Sequence, residues 1–244
     1  MKLRVKSRLR LLSFGWRYLR LQGYLGIDGW LTVDEAVALH DLACAVPTGG
    51  QVVEIGSWQG KSAVVLGKGL AGKAGVRLHC VDPFNADGCA PSLPLFAAQR
   101  EKHTYSLRDG FERNVQRHGV KERIEVWQGY SHEIAPRFPH AIDLLFIDGN
   151  HDYDAVRQDF ALWAPKLKDG GVVCLHDACA KFPGVEKLIA EEISGADGYS
   201  EQHLVNSLYI ARRRMRASAP TAASIEPASL GAASSPSPVG SGCI

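Results

Sequence analysis

Five apolar runs, Val52–Ile55, Val76–Val81, Ile124–Trp127, Ile142–Ile147 and Val172–Leu175, alternate with helical spacing near residues 61–70, 105–118, 153–166 and 183–194. Runs that are apolar on both faces belong inside a covered sheet, and helical links let successive strands run parallel. The alternation predicts a doubly wound, mostly parallel α/β domain with ligand at the carboxyl ends of the strands. A last strand is expected over Leu204–Ala211, although Leu204, Ser207 and Tyr209 break its alternation. Thr32 with Glu35 three residues on is a capping-box pattern, opening a helix that runs to about Ala45.

The first run leads into Glu54-Ile55-Gly56-Ser57-Trp58-Gln59-Gly60-Lys61-Ser62, a strand, a glycine turn and a helix start. Glycines let a backbone approach a ligand closely, and the acid can take hydroxyls or positive charge. A dinucleotide fingerprint fails here because Trp58 stands where its second glycine belongs. A phosphate-binding P-loop needs four residues between its glycines, and this turn has three. One residue matters, since a phosphate nest is built from a fixed set of N–H groups. Leu144–Asp148 still imitates the acidic strand of such ATPases, which keeps a nucleotide hydrolase or kinase as the rival reading.

Charge is unevenly spread. Residues 1–27 carry seven Lys/Arg and no acid, residues 212–216 add four arginines, and residues 28–211 between them hold 17 basic and 25 acidic side chains. An acidic body with basic ends does not suit a nucleic-acid reader, which places a basic face on the fold itself. Within residues 2–21, Val5, Leu9, Leu12, Trp16 and Leu19 form one helical stripe, with Lys6, Arg10, Arg17 and Arg20 largely off it. Three expectations follow: a helix packed on the domain or on a second subunit of a homo-oligomer, peripheral contact with an anionic membrane, or a transit-like segment.

Three segments are expected: a basic helical extension (1–27), the α/β domain (28–212), and an Ala/Ser/Pro-rich disordered tail (213–244). Cys243 lies too near the end for a prenylation box. No apolar run is long enough for a transmembrane helix, and six cysteines without a CxxC pair point to reduced thiols and a cytoplasmic protein. Residues 83–104, with Pro83, Pro91 and Pro94, are either a surface insertion or a lid over the substrate.

The order of motifs resembles that of class I S-adenosylmethionine (SAM)-dependent methyltransferases, over roughly residues 30–211. The resemblance implies that Glu54, Gly56, Ser57 and Gly60 contact the methionine part of SAM, with Ser62 at the helix start. It implies that Asp82, 22 residues past Gly60, takes the ribose hydroxyls, and that Gln128, Gly129 and Ser131 hold the adenine. The Ile147-Asp148-Gly149-x-His151-x-Tyr153 and Leu175-His176-Asp177 elements resemble the cephalosporin-hydroxylase-like and macrocin-type O-methyltransferases. That branch implies methylation of a small hydroxylated acceptor, such as a sugar of a glycan, glycolipid or natural product.

Asp148 and Asp177, on adjacent strand ends, are candidate ligands for Mg²⁺. Asp148 is also expected to border the cofactor. His151 stands where catechol-type relatives carry a catalytic lysine, and is the candidate general base with Asp148; His176 is expected to orient Asp177. Those relatives follow the second aspartate with an asparagine ligand, and this chain has Ala178. A SAM-binding module without catalysis is the third reading.

Overall fold

The computed structural model describes residues 2–215, and the expected tail from 216 onward, Cys243 included, lies outside the described residues. Seven strands form one sheet in the order β3-β2-β1-β4-β5-β7-β6. They are β1 (Gln51–Ile55), β2 (Arg77–Asp82), β3 (Ile124–Gln128), β4 (Ile142–Ile147), β5 (Leu167–Leu175), β6 (Tyr199–Val205) and β7 (Leu208–Arg213). The first five are parallel; β7 runs antiparallel to both its neighbours. The expected final strand is thus two strands folded into a hairpin. Asn206, with φ +53°, and Ser207 make the turn, which is why the alternation broke there.

The helices are α1 (Lys2–Ser13), α2 (Val33–Ala45), α3 (Lys61–Gly69), α4 (Leu93–Arg100), α5 (Leu107–Arg117), α6 (Ser131–Ile134), α7 (Tyr153–Trp163) and α8 (Pro183–Glu192). The capping box of α2 is present: Thr32 Oγ1 accepts from Glu35 N (3.4 Å), and Glu35 Oε2 accepts from Thr32 N (2.8 Å). In α4, the long 83–104 connection contains a helix that the prolines had hidden.

Side chains on alternate positions of each strand enter opposite cores. Val52, Leu78, Leu144 and Phe146 pack with Leu39, Leu66 and Phe111 from α2, α3 and α5. Val53, Ile55, Leu145 and Ile147 pack with Val156, Trp163 and Leu188 from α7 and α8. Strand order reverses direction between β1 and β4, so the loops after these two strands part and leave a crevice.

The N-terminal extension differs from its expectation. A single helix over residues 2–21 is broken at Gly15 (φ +119°), and Trp16–Gly26 continue as a 3₁₀ helix. Leu11, Tyr18, Leu21 and Tyr24 enter the core beside α2 and α3. The stripe read from sequence does not pack there: Val5, Leu9, Leu12 and Trp16 are exposed.

Candidate active site

The crevice is a cavity of about 360 Å³, within the usual range of ligand sites. Its wall is formed by the carboxyl ends of β1, β2, β4 and β5, the 83–92 loop, the start of α6 and the Asp28–Leu31 segment. Of the residues read from sequence, Gly56, Ser57, Ser62, Asp82, Ser131, Asp148, His151 and Asp177 line it. Glu54, Gly60, Gln128 and Gly129 do not.

The glycine turn is set by close packing. Gly56 has φ +84°, and a Cβ there would collide with the carbonyl of Asp148. A side chain at this position would force β4 away from β1. Gly60, at φ +80°, caps α3 and fits against Phe111, where a Cβ would come within 3.0 Å. Its demand is helix packing rather than ligand contact. Glu54 shares a strand face with Val52 and lies under the turn, fully buried, its Oε2 accepting from Ser57 Oγ (2.6 Å). Burial pushes its carboxyl up to about 7, against the opposing pull of the Ser57 hydroxyl. Its Oε1 has no hydrogen-bond partner among the described residues.

Asp82 braces the same turn. Its Oδ2 accepts from Ser57 N (2.7 Å) and Trp58 N (2.8 Å), and Oδ1 from Phe84 N (2.6 Å). Burial moves the carboxyl above its ordinary range, and the three N–H donors hold part of that rise back. With three bonds already accepted, the carboxylate retains limited acceptor capacity. Trp58, at φ +48°, leans its ring on Trp30 at 6.2 Å between centroids, and both rings line the cavity.

The opposite wall is built differently. Asp148 and Asp177 follow β4 and β5, and two histidines face them. His176 Nδ1 lies 3.1 Å from Asp148 Oδ1 and 3.6 Å from Asp177 Oδ2. His151 Nε2 lies 3.2 Å from Asp177 Oδ2 and 3.6 Å from Asp148 Oδ1. His176 was expected to orient Asp177, but the nearer carboxylate is Asp148. Both inward nitrogens are buried, and neither makes a hydrogen bond among the described residues. Burial alone would lower both histidines, but the carboxylates outweigh it: His151 is raised and His176 raised strongly, while Asp148 is lowered chiefly by His176. Asp177 has φ +58°, a left-handed conformation that costs energy in a residue with a Cβ and recurs at functional sites.

Glu35 completes this wall from behind. The capping residue of α2 also places Oε2 3.4 Å from His176 Nε2 and accepts from Ser207 N and Oγ at 3.0 and 2.8 Å. Burial would raise it, but His176, Thr32 and Ser207 hold it down at about 2. Its sequence pattern announced a cap, and nothing local announced the histidine 141 positions away. Cys89 and Ser92, from the 83–104 connection, stand beside His151, with Cys89 Sγ 3.6 Å from Nδ1. Asn85 and Asp87 tie the same loop to the start of α6 through the Tyr130 hydroxyl, at 2.8 and 2.6 Å. The connection therefore forms part of the cavity wall.

Ser131 Oγ accepts from Trp163 Nε1 at 2.8 Å, and the neighbouring Asp159, pushed up by burial to about 6, lines the cavity too. Asp159, which no sequence motif marks, lies on α7 among the buried Val156, Phe160 and Trp163.

The fold is that of class I methyltransferases. A cofactor-bound protein from MTB superposes with a TM-score of 0.59 at 17% identity, covering 87% of this chain and 97% of that one. An O-methyltransferase from Bacillus cereus in complex with SAH gives 0.58 at 16%, over 80% and 90%. The O-methyltransferase TomG from Streptomyces achromogenes, in complex with SAM, gives 0.55 at 17%, over 80% and 88%. Residues 53–178 match the family described as Methyltransferase domain, and the chain belongs to that family. An uncharacterized protein of Acanthamoeba polyphaga mimivirus is 26% identical over 149 residues, 59% of this chain; the match spans 61% of that relative's length.

Proposed function

We propose that the chain is a SAM-dependent O-methyltransferase acting on a small hydroxylated acceptor. The observation that carries the reading is the two-walled cavity: a braced glycine turn on one side, and two carboxylates facing two unbonded imidazole nitrogens on the other. The O-methyltransferase neighbours in complex with SAH and SAM support the cofactor and the acceptor atom.

The turn suits the methionine end of the cofactor. Ser57, Lys61 and Ser62 at the start of α3 favour a carboxylate, and Asp82 has room for one ribose hydroxyl. Glu54 acts from beneath by fixing Ser57. When bound, SAM would supply an electrophilic sulfonium methyl, open to a lone pair of the acceptor oxygen, with the carbon–sulfur pair staying on sulfur as S-adenosylhomocysteine. His151 Nε2 receives the hydroxyl proton, and Asp177 and Asp148 stabilise the imidazolium that results.

The same wall fits a divalent cation. Asp148, His151 and Asp177 present ligand atoms within 4.8 Å of one another. Two carboxylates suit Mg²⁺, and a bound ion would acidify an acceptor hydroxyl. An imidazole in the set favours manganese, iron or zinc over magnesium.

Calorimetry with SAM, S-adenosylhomocysteine and ATP·Mg²⁺ tests the cofactor. Heat with the first two supports the reading; heat with ATP·Mg²⁺ alone overturns it. Methyl transfer to a panel of sugars and phenols, with and without chelator, tests the acceptor and the ion. Full turnover in chelator removes the cation and leaves His151 as base.

A further inference from the structure

The N-terminal extension carries an exposed apolar stripe that the fold does not use. α1 is seated on the domain by Leu11, fully buried, and by an Arg10–Asp34 ion pair at 2.5 Å. Val5, Leu9 and Leu12, spaced i, i+4 and i+7, are 51%, 60% and 41% exposed. At about 100° per residue they point roughly 130° away from Leu11. Trp16, just past the Gly15 break, is 83% exposed, and Phe14 is exposed beside it.

Charge identifies the occupant. Lys6 and Arg8 flank the stripe on either side, are exposed, and make no ion pair among the described residues. The first 27 residues carry seven cations and no acid, while residues 28–211 carry eight more acids than bases. A negatively charged surface would attract this end of the molecule and repel the acidic body over residues 28–211. An apolar stripe with cations at its margins and aromatic rings at its end matches an anionic lipid surface, in which the rings sit at the headgroup level. None of the described helices is long and apolar enough to cross a membrane, so α1 would lie in the interface plane.

We infer that residues 2–16 dock the protein on anionic lipid. The chain runs from this extension through the 3₁₀ helix into Asp28–Leu31, which is part of the cavity wall. The inference stands apart from the transfer chemistry, because it uses none of the cavity residues.

The test is flotation of the full chain with vesicles of phosphatidylcholine alone or with about one-third phosphatidylglycerol, at low and high salt. Flotation with the anionic vesicles only, weakened by salt, is expected. Lys6→Glu with Arg8→Glu should reduce partitioning at least about tenfold. Leu9→Ser with Trp16→Ser should reduce it by a similar factor, about 25 cal/mol per Å² of apolar area being lost. All four side chains are exposed, so melting temperature should hold. Three outcomes overturn the inference. One is no flotation at low salt, and another is equal, salt-independent flotation with both vesicles. The third is a dimer by light scattering that the Leu9→Ser/Trp16→Ser variant dissociates, which would assign the stripe to a second copy of the chain.

Discussion

The two pairs of carboxylates around the cavity live under opposite conditions. Glu54 and Asp82, on the β1–β2 side, are buried and bonded to the turn they support, through Ser57 Oγ and three backbone N–H groups. Asp148 and Asp177, on the β4–β5 side, are partly open and face imidazole nitrogens without forming good hydrogen bonds. The first pair spends its acceptor capacity on shape. The second keeps its capacity for whatever enters, because charge held near an unbonded proton site can respond when a substrate proton arrives. Changes on the second side should therefore show in turnover and changes on the first in stability.

The largest effect is expected from His151→Gln. Loss of a positioned base costs about 10²–10⁴-fold in kcat. Glutamine keeps polarity and near-equal bulk, so S-adenosylhomocysteine affinity and melting temperature should stay close to those of the parent. Stopped-time methyl-transfer assays with calorimetry check both. A variant that loses affinity and turnover together would place His151 in cofactor binding and erase the division of labour between the walls.

Next comes Glu35→Gln, behind the second wall. A carboxyl held at about 2 in the fold against about 4.5 unfolded contributes about 3 kcal/mol when ionised. That contribution is fully present above the unfolded value and is lost as pH falls through the folded one. The variant should be destabilised by about 3 kcal/mol at neutral pH and should converge on the parent near pH 2. Denaturant melts across that range give the answer. A pH-independent loss would mean that the capping bond, not the His176 pair, carries the energy.

Glu54→Gln should move stability the other way. Its carboxyl is raised to about 7, so the folded state holds a proton that the unfolded chain has released. Stability then falls as pH rises from about 4.5 to 7, by about 3 kcal/mol at most. Glutamine can still accept from Ser57 and carries no charge to desolvate. The variant should flatten this slope and melt higher than the parent above pH 7. If it instead melts lower at every pH, the ionised acid is supporting the turn.

Much of the fold was legible because two-face burial leaves continuous apolar runs: all five parallel strands overlap the runs from Val52–Ile55 through Val172–Leu175, although β5 starts earlier, at Leu167. Asp148, His151 and Asp177 were legible because strand ends set them at one edge. What escaped depended on contacts far apart in sequence. Glu35 reaches His176 across the sheet edge, and Glu54 lies under its turn rather than in the wall, which a motif cannot distinguish. The α1 stripe left its partner open, because periodicity reports an amphipathic face without saying what covers it. The side chains that do anchor the extension, Leu11, Tyr18, Leu21 and Tyr24, are spread across the Gly15 break and share no single helical period.

The smallest effect separates the two carboxylates of the second wall. The pull of Asp148 and Asp177 raises His151 above the ordinary histidine value of 6.5, so a larger share of the imidazole is protonated at neutral pH. A base works only when neutral; turnover should therefore climb with pH through an apparent value above 6.5. Asp177→Asn removes one source of that pull and should slide the rising limb toward lower pH, while maximal turnover falls less than in His151→Gln. The parent and variant pH–rate profiles, recorded in chelator, isolate the proton from any ion. An unmoved limb would show that Asp148 alone sets the histidine, and the near-equal distances to the two carboxylates would then conceal an unequal partnership.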